Sequence, residues 1–320
     1  MEKNVQVSVI CNTYNHEKYI IDALEGFVKQ KTNFTFEVLV HDDASTDNTA
    51  NIIREYEAKY PNIIKPIYQT ENQRSKKIPI NKTFQIPRIK GKYIAFCEGD
   101  DYWTDSFKLQ KQYDFMETHP DYSMCTCSTV WLDMKVGKER NKCRTEIDRE
   151  IPIEEIILEK KGRIFQLATF LIRADMYLHL PDWFSAFGVG DLPIALYAAI
   201  SGKVYMLSDV MAVYRYNAEG SWTSRVQNID FRTNALTKII NGYNAFNQAT
   251  DYKYDDLVTK RIKMTKYNLA RKKRDFKALK SDELIEIYKS KDFLHRMIDY
   301  LMCKFPKLYS LLIKIIGADS

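Results

Sequence analysis

Three groups of residues have the types and spacing to do chemistry. They are the row Glu98, Gly99, Asp100, Asp101, the pair Asp42 and Asp43 in VLVHDDASTDNT, and Asp191 in GVGDLP. Neighbouring carboxylates repel one another, and a fold keeps them together chiefly when a hard cation neutralises them. Mg²⁺ or Mn²⁺ prefers such oxygens, with substrate phosphates completing the shell. The first row thus points to a divalent metal bridging a diphosphate. Its plain alternative is a turn and cap leading past Trp103, Thr104 and Asp105 into a helix. Asp42 and Asp43 can bond their own backbone in a turn. A carboxylate at a strand end can also accept from the imide N–H of uracil or from a ribose hydroxyl. Asp191 reads either as a proton acceptor or as an ordinary helix N-cap worth about 1 kcal/mol, and caps are far commoner.

The elements around these acids alternate strand and helix. Val5 to Cys11 is β-rich, and Ile20, Ile21, Leu24, Phe27 and Val28 then form a helical stripe. Glu37 to His41 gives a second strand, and Ser45, Thr46 or Asp47 caps a helix that ends at Tyr60 and Pro61. Ile63 to Tyr68 is a third strand. A short helix near Thr83 to Lys90 precedes Gly91 and the buried strand YIAFC. Asp105 caps a helix through Met116, Tyr122 to Val130 alternates as a strand, and Lys135 to Arg149 reads as a charged loop. Ile164 to Ile172 is a further strand, Asp191 to Ile200 an apolar helix, and VYMLSDVMAVYRY two short strands broken at Ser208 and Asp209. Short connections between such units mean a doubly wound, mainly parallel sheet with right-handed crossovers, so both acidic clusters should face one crevice beyond the strand ends. From Asn228 onward the pattern is helical and basic. The expected division is a catalytic α/β domain over 1–227 and a helical basic extension over 228–320.

Composition agrees with a soluble globular chain of 320 residues, 45% hydrophobic and 28% charged. The net charge of +6 belongs to the tail, since residues 231–320 hold 19 Lys and Arg against 10 Asp and Glu. A basic tail on a neutral body suggests an anionic surface as partner, not a nucleic-acid groove. Cysteines stand at 11, 97, 125, 127, 143 and 303 without CxxC pairs or zinc spacing, and Cys11, Cys97, Cys125 and Cys127 lie in apolar strand-like runs. They read as buried reduced thiols in a cytosolic protein. No charged-then-apolar leader opens the chain, and no stretch reaches the roughly 18 to 20 apolar residues of a membrane span. The histidines at 16, 41, 119, 179 and 295 lack metal spacing.

VSVICNTYNHEKYI, VLVHDDASTDNT, GKYIAFCEGDDYWTDSFKLQKQ and GDLPIALYAAISGKVYMLSDVMAVYRYN, in this order, resemble a family 2 glycosyltransferase of the GT-A fold. The resemblance covers about two-thirds of the chain, and four ordered motifs are more specific than any one alone. It implies a nucleotide-diphosphate sugar donor, a divalent metal and transfer with inversion. It further implies that Asn12, Thr13 and Tyr14 open the nucleotide pocket, that Asp43 recognises the base, and that Asp100 holds the metal. Lys76 or Lys77 would meet the nucleotide, Glu98 would lie at the donor, and Asp191 would be the general base. Two positions depart from the family pattern: Glu98 stands where Asp is commonest, and Asn12 replaces a frequent Pro. The Gln-x-x-Arg-Trp signature of processive synthases is missing, which favours single-sugar transfer. GSWTSR stands in that neighbourhood, with Trp222 as a candidate lid.

Trp183, Phe184 and Phe187 could stack on an acceptor sugar, although such trios are more often core. Lys307 to Ile316 repeats apolar residues at Leu308, Leu311, Leu312, Ile315 and Ile316. This stripe suits either an anionic bilayer bearing a lipid-linked acceptor, on the inner face of the membrane, or packing on the body or a partner subunit. Two rival functions remain: a sugar nucleotidyltransferase, which needs a glycine-rich loop that CNTYNHEKY lacks, and a non-catalytic module that binds a sugar nucleotide or glycan.

Overall fold

The computed structural model describes residues 4–140, 145–159 and 163–309. The chain forms two compact units, one of Met1–Pro181 with Gly190–Ser224 and one of Asp182–Val189 with Arg225–Ser320.

The first unit is an α/β body around a ten-stranded mixed sheet among the described residues. Its strands are β1 (Val5–Thr13), β2 (Thr35–Asp42), β3 (Ile64–Tyr68), β4 (Tyr93–Phe96), β5 (Tyr102–Trp103), β6 (Tyr122–Asp133), β7 (Lys138–Arg140), β8 (Arg149–Glu150), β9 (Leu171–Arg173) and β10 (Lys203–Tyr216). The order β3-β2-β1-β4-β9-β6-β10-β5 sets β1 at the centre of a parallel half. The chain runs outward from β1 to β3, then returns to place β4 on the opposite flank of β1. That reversal is the topological switch point, where open α/β sheets leave a crevice beyond the strand ends. Val7, Val9, Ile10 and Cys11 are all fully buried, as expected of a strand covered on both faces.

Helices α1 (Ile20–Val28), α2 (Thr49–Lys59), α3 (Lys108–Thr118), α4 (Ile153–Leu158), α5 (Ala174–Leu178), α6 (Asp191–Ser201) and α7 (Trp222–Arg225) accompany the sheet. Of the predicted stripe of α1, Ile20, Leu24 and Phe27 are buried, with Ala23 beside them, while Ile21 is exposed and Val28 half-buried; the Phe27 ring meets Trp103 edge-on at 5.0 Å. Cys11, Cys97, Cys125 and Cys127 are free and buried.

Two local expectations are corrected. VYMLSDVMAVYRY is the single strand β10, not two. Its ladder with β6 shifts register between Leu207 and Val210, so Ser208 and Asp209 bulge without ending the strand. Asp148 accepts from the backbone and hydroxyl of Ser208, and Lys111 pairs with Asp209, which satisfies the bulge. Ile164 to Ile172 is not a continuous strand either. Thr169 donates its N–H and hydroxyl to the Gln166 carbonyl, winding Leu167–Thr169 into a 3₁₀ turn, and only Leu171–Arg173 joins the sheet.

The second unit holds α8 (Ile229–Ala249), α9 (Asp255–Lys273), α10 (Phe276–Leu279), α11 (Ile285–Ser290) and α12 (Phe293–Lys304), with a 3₁₀ segment Asp182–Phe187. Gly242 admits Phe187 so closely that a Cβ there would lie 2.3 Å from the ring, which explains a glycine inside α8. A second small core gathers Tyr267, Ala270, Leu279 and Leu284. No helix among the described residues is long and apolar enough to cross a membrane. Leu311, Leu312, Ile315 and Ile316 of the expected tail stripe lie outside the described residues.

Candidate active site

The ends of β1, β2 and β4 meet at the switch point, where their loops are knitted by side-chain bonds to backbone. Asn15, in left-handed backbone at φ 54°, accepts the Thr46 N–H at 2.8 Å. Ser45 accepts from the Asn15 N–H, Thr49 from His16 N–H, and Asp47 from Glu17 N–H. The hydroxyl-rich turn after Asp43 is thus a clamp on the loop after β1. Asp42 serves the same turn, taking the Ser45 hydroxyl at 2.5 Å.

Asp43 is buried, and its two oxygens accept the backbone N–H groups of Gln73 at 2.7 Å and Arg74 at 3.1 Å. It carries the polar loop that holds Lys76 and Lys77. Lys76 pairs with Glu71, and Lys77 is exposed in left-handed backbone at φ 61°.

Asn12 sits in a polar network at the end of β1. Its N–H and side-chain amide both donate to Glu98, and the same amide reaches Asn81 at 2.9 Å. Gln85 donates to the side-chain amide oxygen of Asn12, and Asn81 donates to the Tyr177 hydroxyl. Asn12 therefore positions Glu98, while Tyr14 is 43% exposed.

The acid turn follows β4. The Gly99 N–H bonds the Asn12 carbonyl, and a Cβ at Gly99 would sit 2.8 Å from Thr13 Oγ1 and 2.9 Å from His16 Nδ1. Burial, with the Asp100 charge behind it, pushes the Glu98 carboxyl up to about 7. The same causes raise buried Asp101 well above the carboxylate range. Arg215, from β10, organises this turn: its backbone N–H donates to Asp101 at 2.8 Å and its guanidinium to the Asp100 carbonyl at 2.9 Å. The guanidinium also bonds Asp22 and lies 4.4 Å from the Tyr102 ring centroid.

The Asp100 carboxylate itself takes no hydrogen bond among the described residues. Thr13 Oγ1 and His16 Nδ1, both packed against Gly99, are buried without partners. Accumulated negative charge, an uncommitted carboxylate and two orphaned polar atoms fit a cation shared with a diphosphate. No three His, Cys, Asp or Glu among the described residues form a metal cage by themselves.

Asp191 begins α6. One oxygen accepts its own helix's Leu192 N–H at 2.9 Å, and the other meets Arg163 at 2.5 Å. Arg163 in turn lies 5.9 Å from the Trp222 ring centroid, and Trp222 is half-buried. Tyr214 lies on β10 beside Arg215, and burial, with the Asp101 charge behind it, raises its hydroxyl. Trp183 does not stand open here. It belongs to the second unit, is 8% exposed, and packs edge-on against Phe187 and Phe246, so its ring is core.

Sequence reasoning missed Arg215, Arg163, His16 and Gln85. Arg215 lies in a quoted motif, yet its partners are more than a hundred residues away in the chain.

The model of the family described as Glycosyl transferase family 2 matches residues 8–177. An uncharacterized protein of Mycobacterium tuberculosis is 33% identical over 226 residues, 68% of this chain and 61% of that one. The chain thus spans about three-fifths of that relative's length. A poly(ribitol-phosphate) beta-glucosyltransferase of Bacillus spizizenii is 33% identical over 112 residues, 35% of this chain and 17% of that one. Among solved structures, residues 1–349 of TarS from S. aureus, in complex with UDP, give a TM-score of 0.57 at 18% identity, covering 95% of this chain and 82% of that one. The mannosyltransferase PcManGT from Pyrobaculum calidifontis, with GDP-Man and Mn²⁺, gives 0.54 at 15% identity, covering 99% and 89%. These structural likenesses establish the GT-A fold.

Proposed function

The chain belongs to glycosyl transferase family 2, and from that premise we propose that it transfers one sugar, with inversion, from a nucleotide-diphosphate donor to a glycan or lipid-linked acceptor. UDP is the first nucleotide to test, since UDP occupies the TarS structure and Asp43 suits an imide N–H. The observation that carries the reading is the acid turn at the switch point, with the Asp100 carboxylate uncommitted and two orphaned polar atoms beside it.

In this reading Asn12, Thr13, Tyr14 and Lys77 border the nucleotide, Asp43 meets the base, and Glu98 braces the pocket floor. Asp100 holds a divalent ion, which when bound supplies charge stabilisation for the leaving diphosphate. Asp191 takes the proton of the acceptor hydroxyl on the opposite face, as direct displacement at the anomeric carbon requires. Trp222 covers the site. A binding module without catalysis would keep the donor pocket but have no use for Asp191.

Calorimetric titration with UDP, GDP and dTDP, in Mn²⁺ and then in EDTA, tests the donor site. Metal-dependent binding of one nucleotide, lost in Asp100→Ala and Asp43→Ala, is the expected result. Binding that ignores both EDTA and Asp100→Ala would remove Asp100 from the metal role.

A further inference from the structure

We propose that Arg163 is a positioning residue that trades partners: it holds Asp191 in the donor-free protein, then passes to the diphosphate of the incoming nucleotide and releases the Asp191 carboxylate. The inference rests on the reading of Asp191 as the base.

Both Asp191 oxygens are engaged, one by the Leu192 N–H and one by Arg163 at 2.5 Å, with side-chain exposures of 16% for Asp191 and 27% for Arg163. A carboxylate oxygen has two lone pairs, so the guanidinium takes one approach to this oxygen and leaves fewer for an acceptor hydroxyl. The pair therefore partly covers the group that the reaction needs. It stands over an apolar floor of Ile156, Phe165, Phe170 and Leu192, where a charge-assisted bond is stronger than in water. Arg163 does not leave Asp191 without a better partner.

A nucleoside diphosphate is such a partner. Trp222, facing the guanidinium at 5.9 Å, adjoins Thr223, which accepts the Asn217 N–H at 2.9 Å, and β10 just before Asn217 carries Arg215, whose N–H holds Asp101, so a short run of bonded chain links Arg163 to the acid turn. A diphosphate anchored at the acid turn brings several negative oxygens in the geometry that a guanidinium fork grips in two places. Trp222, near the guanidinium, offers a ring face over which it can move. A ligand shifts such an equilibrium only by its differential affinity, and a diphosphate bears more charge than one carboxylate. The base is armed only after the donor is seated, so donor binding precedes productive acceptor binding.

The test is a calorimetric cycle on the full chain with UDP and Mn²⁺, using GDP if UDP is silent. Arg163→Gln should weaken nucleotide binding about tenfold or more, and Arg163→Lys should recover part of that loss. Asp191→Asn should tighten binding about threefold or more by releasing Arg163, and this gain should vanish in the double variant. Uridine, which lacks the diphosphate, should bind all four proteins alike, which separates the effect from misfolding. Unchanged UDP affinity in Arg163→Gln, or a gain from Asp191→Asn that survives in the double variant, overturns the proposal. Absence of binding by the parent overturns it together with the donor site. If the cycle holds while Asp191→Asn still transfers sugar, the base assignment fails and the trade of partners stands.

Discussion

The backbone N–H of Arg215 donates to the buried carboxyl of Asp101 at 2.8 Å, while the same residue's guanidinium reaches around to the Asp100 carbonyl. One residue of β10 thereby fixes two successive residues of the acid turn, which follows β4. The Asp101 carboxyl is committed to structure, and its neighbour Asp100 keeps a carboxylate without a hydrogen bond among the described residues.

Arg215→Met keeps the backbone bond and removes the guanidinium. The Asp100 carbonyl then loses its donor and Asp22 its partner, a cost of about 1 kcal/mol for the partly buried acceptor. The expected outcome is a lowered urea midpoint and a Mn²⁺-dependent UDP affinity reduced about tenfold, because Asp100 is no longer held in place. Arg215→Lys should recover less than half of the affinity, since an ammonium cannot span both acceptors. Wild-type nucleotide affinity in Arg215→Met would dismiss the guanidinium as an organiser of the turn.

Much of this arrangement is legible in the sequence, for reasons that are local. The stripe of α1, the run of β1 and the acids closing β4 each follow from periodicity and turn chemistry within a few residues. What escaped is what depends on distant partners. Ser208 and Asp209 look like a strand break until Asp148 and Lys111 are found to satisfy them. Trp183 looks like a sugar platform until Phe246 covers it. Asp42 and Asp43 present two equivalent carboxylates in the sequence, and the fold gives each a different loop to hold.

Glu98 supplies a pH-dependent prediction. Its carboxyl is raised from an ordinary 4.5 to about 7, so the folded protein binds more protons than the unfolded chain between those values. Stability linked to Glu98 is present in full below about 4.5 and is lost as the pH rises through 7. Glu98→Gln keeps the shape and the bond from the Asn12 N–H while removing the charge. In EDTA it should be more stable than the parent at pH 8 by about 1 to 3 kcal/mol, with the difference shrinking toward pH 4.5. Urea midpoints across this range check it, and a constant difference at every pH would detach the effect from Glu98 ionisation.

Asp191→Asn, read at saturating donor, tests the chemistry apart from its effect on donor affinity. General-base removal typically costs about a hundredfold to ten-thousandfold in rate, so donor consumption by a competent acceptor should fall by that range. Folding should weaken only modestly, since the asparagine carbonyl can still accept the Leu192 N–H at the start of α6 while the partly exposed Arg163 loses a charged partner. A single-turnover rate within about threefold of the parent would return Asp191 to the part of a helix cap.

The second unit leaves an apolar face on α12 that has a measurable consequence. Phe293 is 73% exposed, Leu294 55%, Met297 40% and Tyr300 42%, and Phe305 and Leu308 continue the exposure beyond the helix. These positions recur at the helical period, and Lys304 lies on the same side. Burying such residues in the headgroup region of a bilayer yields about 25 cal/mol per Å² of apolar area, and lysines beside anionic lipid add to it. The chain should therefore sediment with vesicles rich in phosphatidylglycerol more than with neutral phosphatidylcholine vesicles. The double substitution Phe293→Ser and Leu294→Ser, at exposed positions that the Tyr267 core does not use, should reduce that sedimentation several-fold without lowering the urea midpoint. Equal sedimentation of parent and variant would assign this face to protein packing instead of lipid.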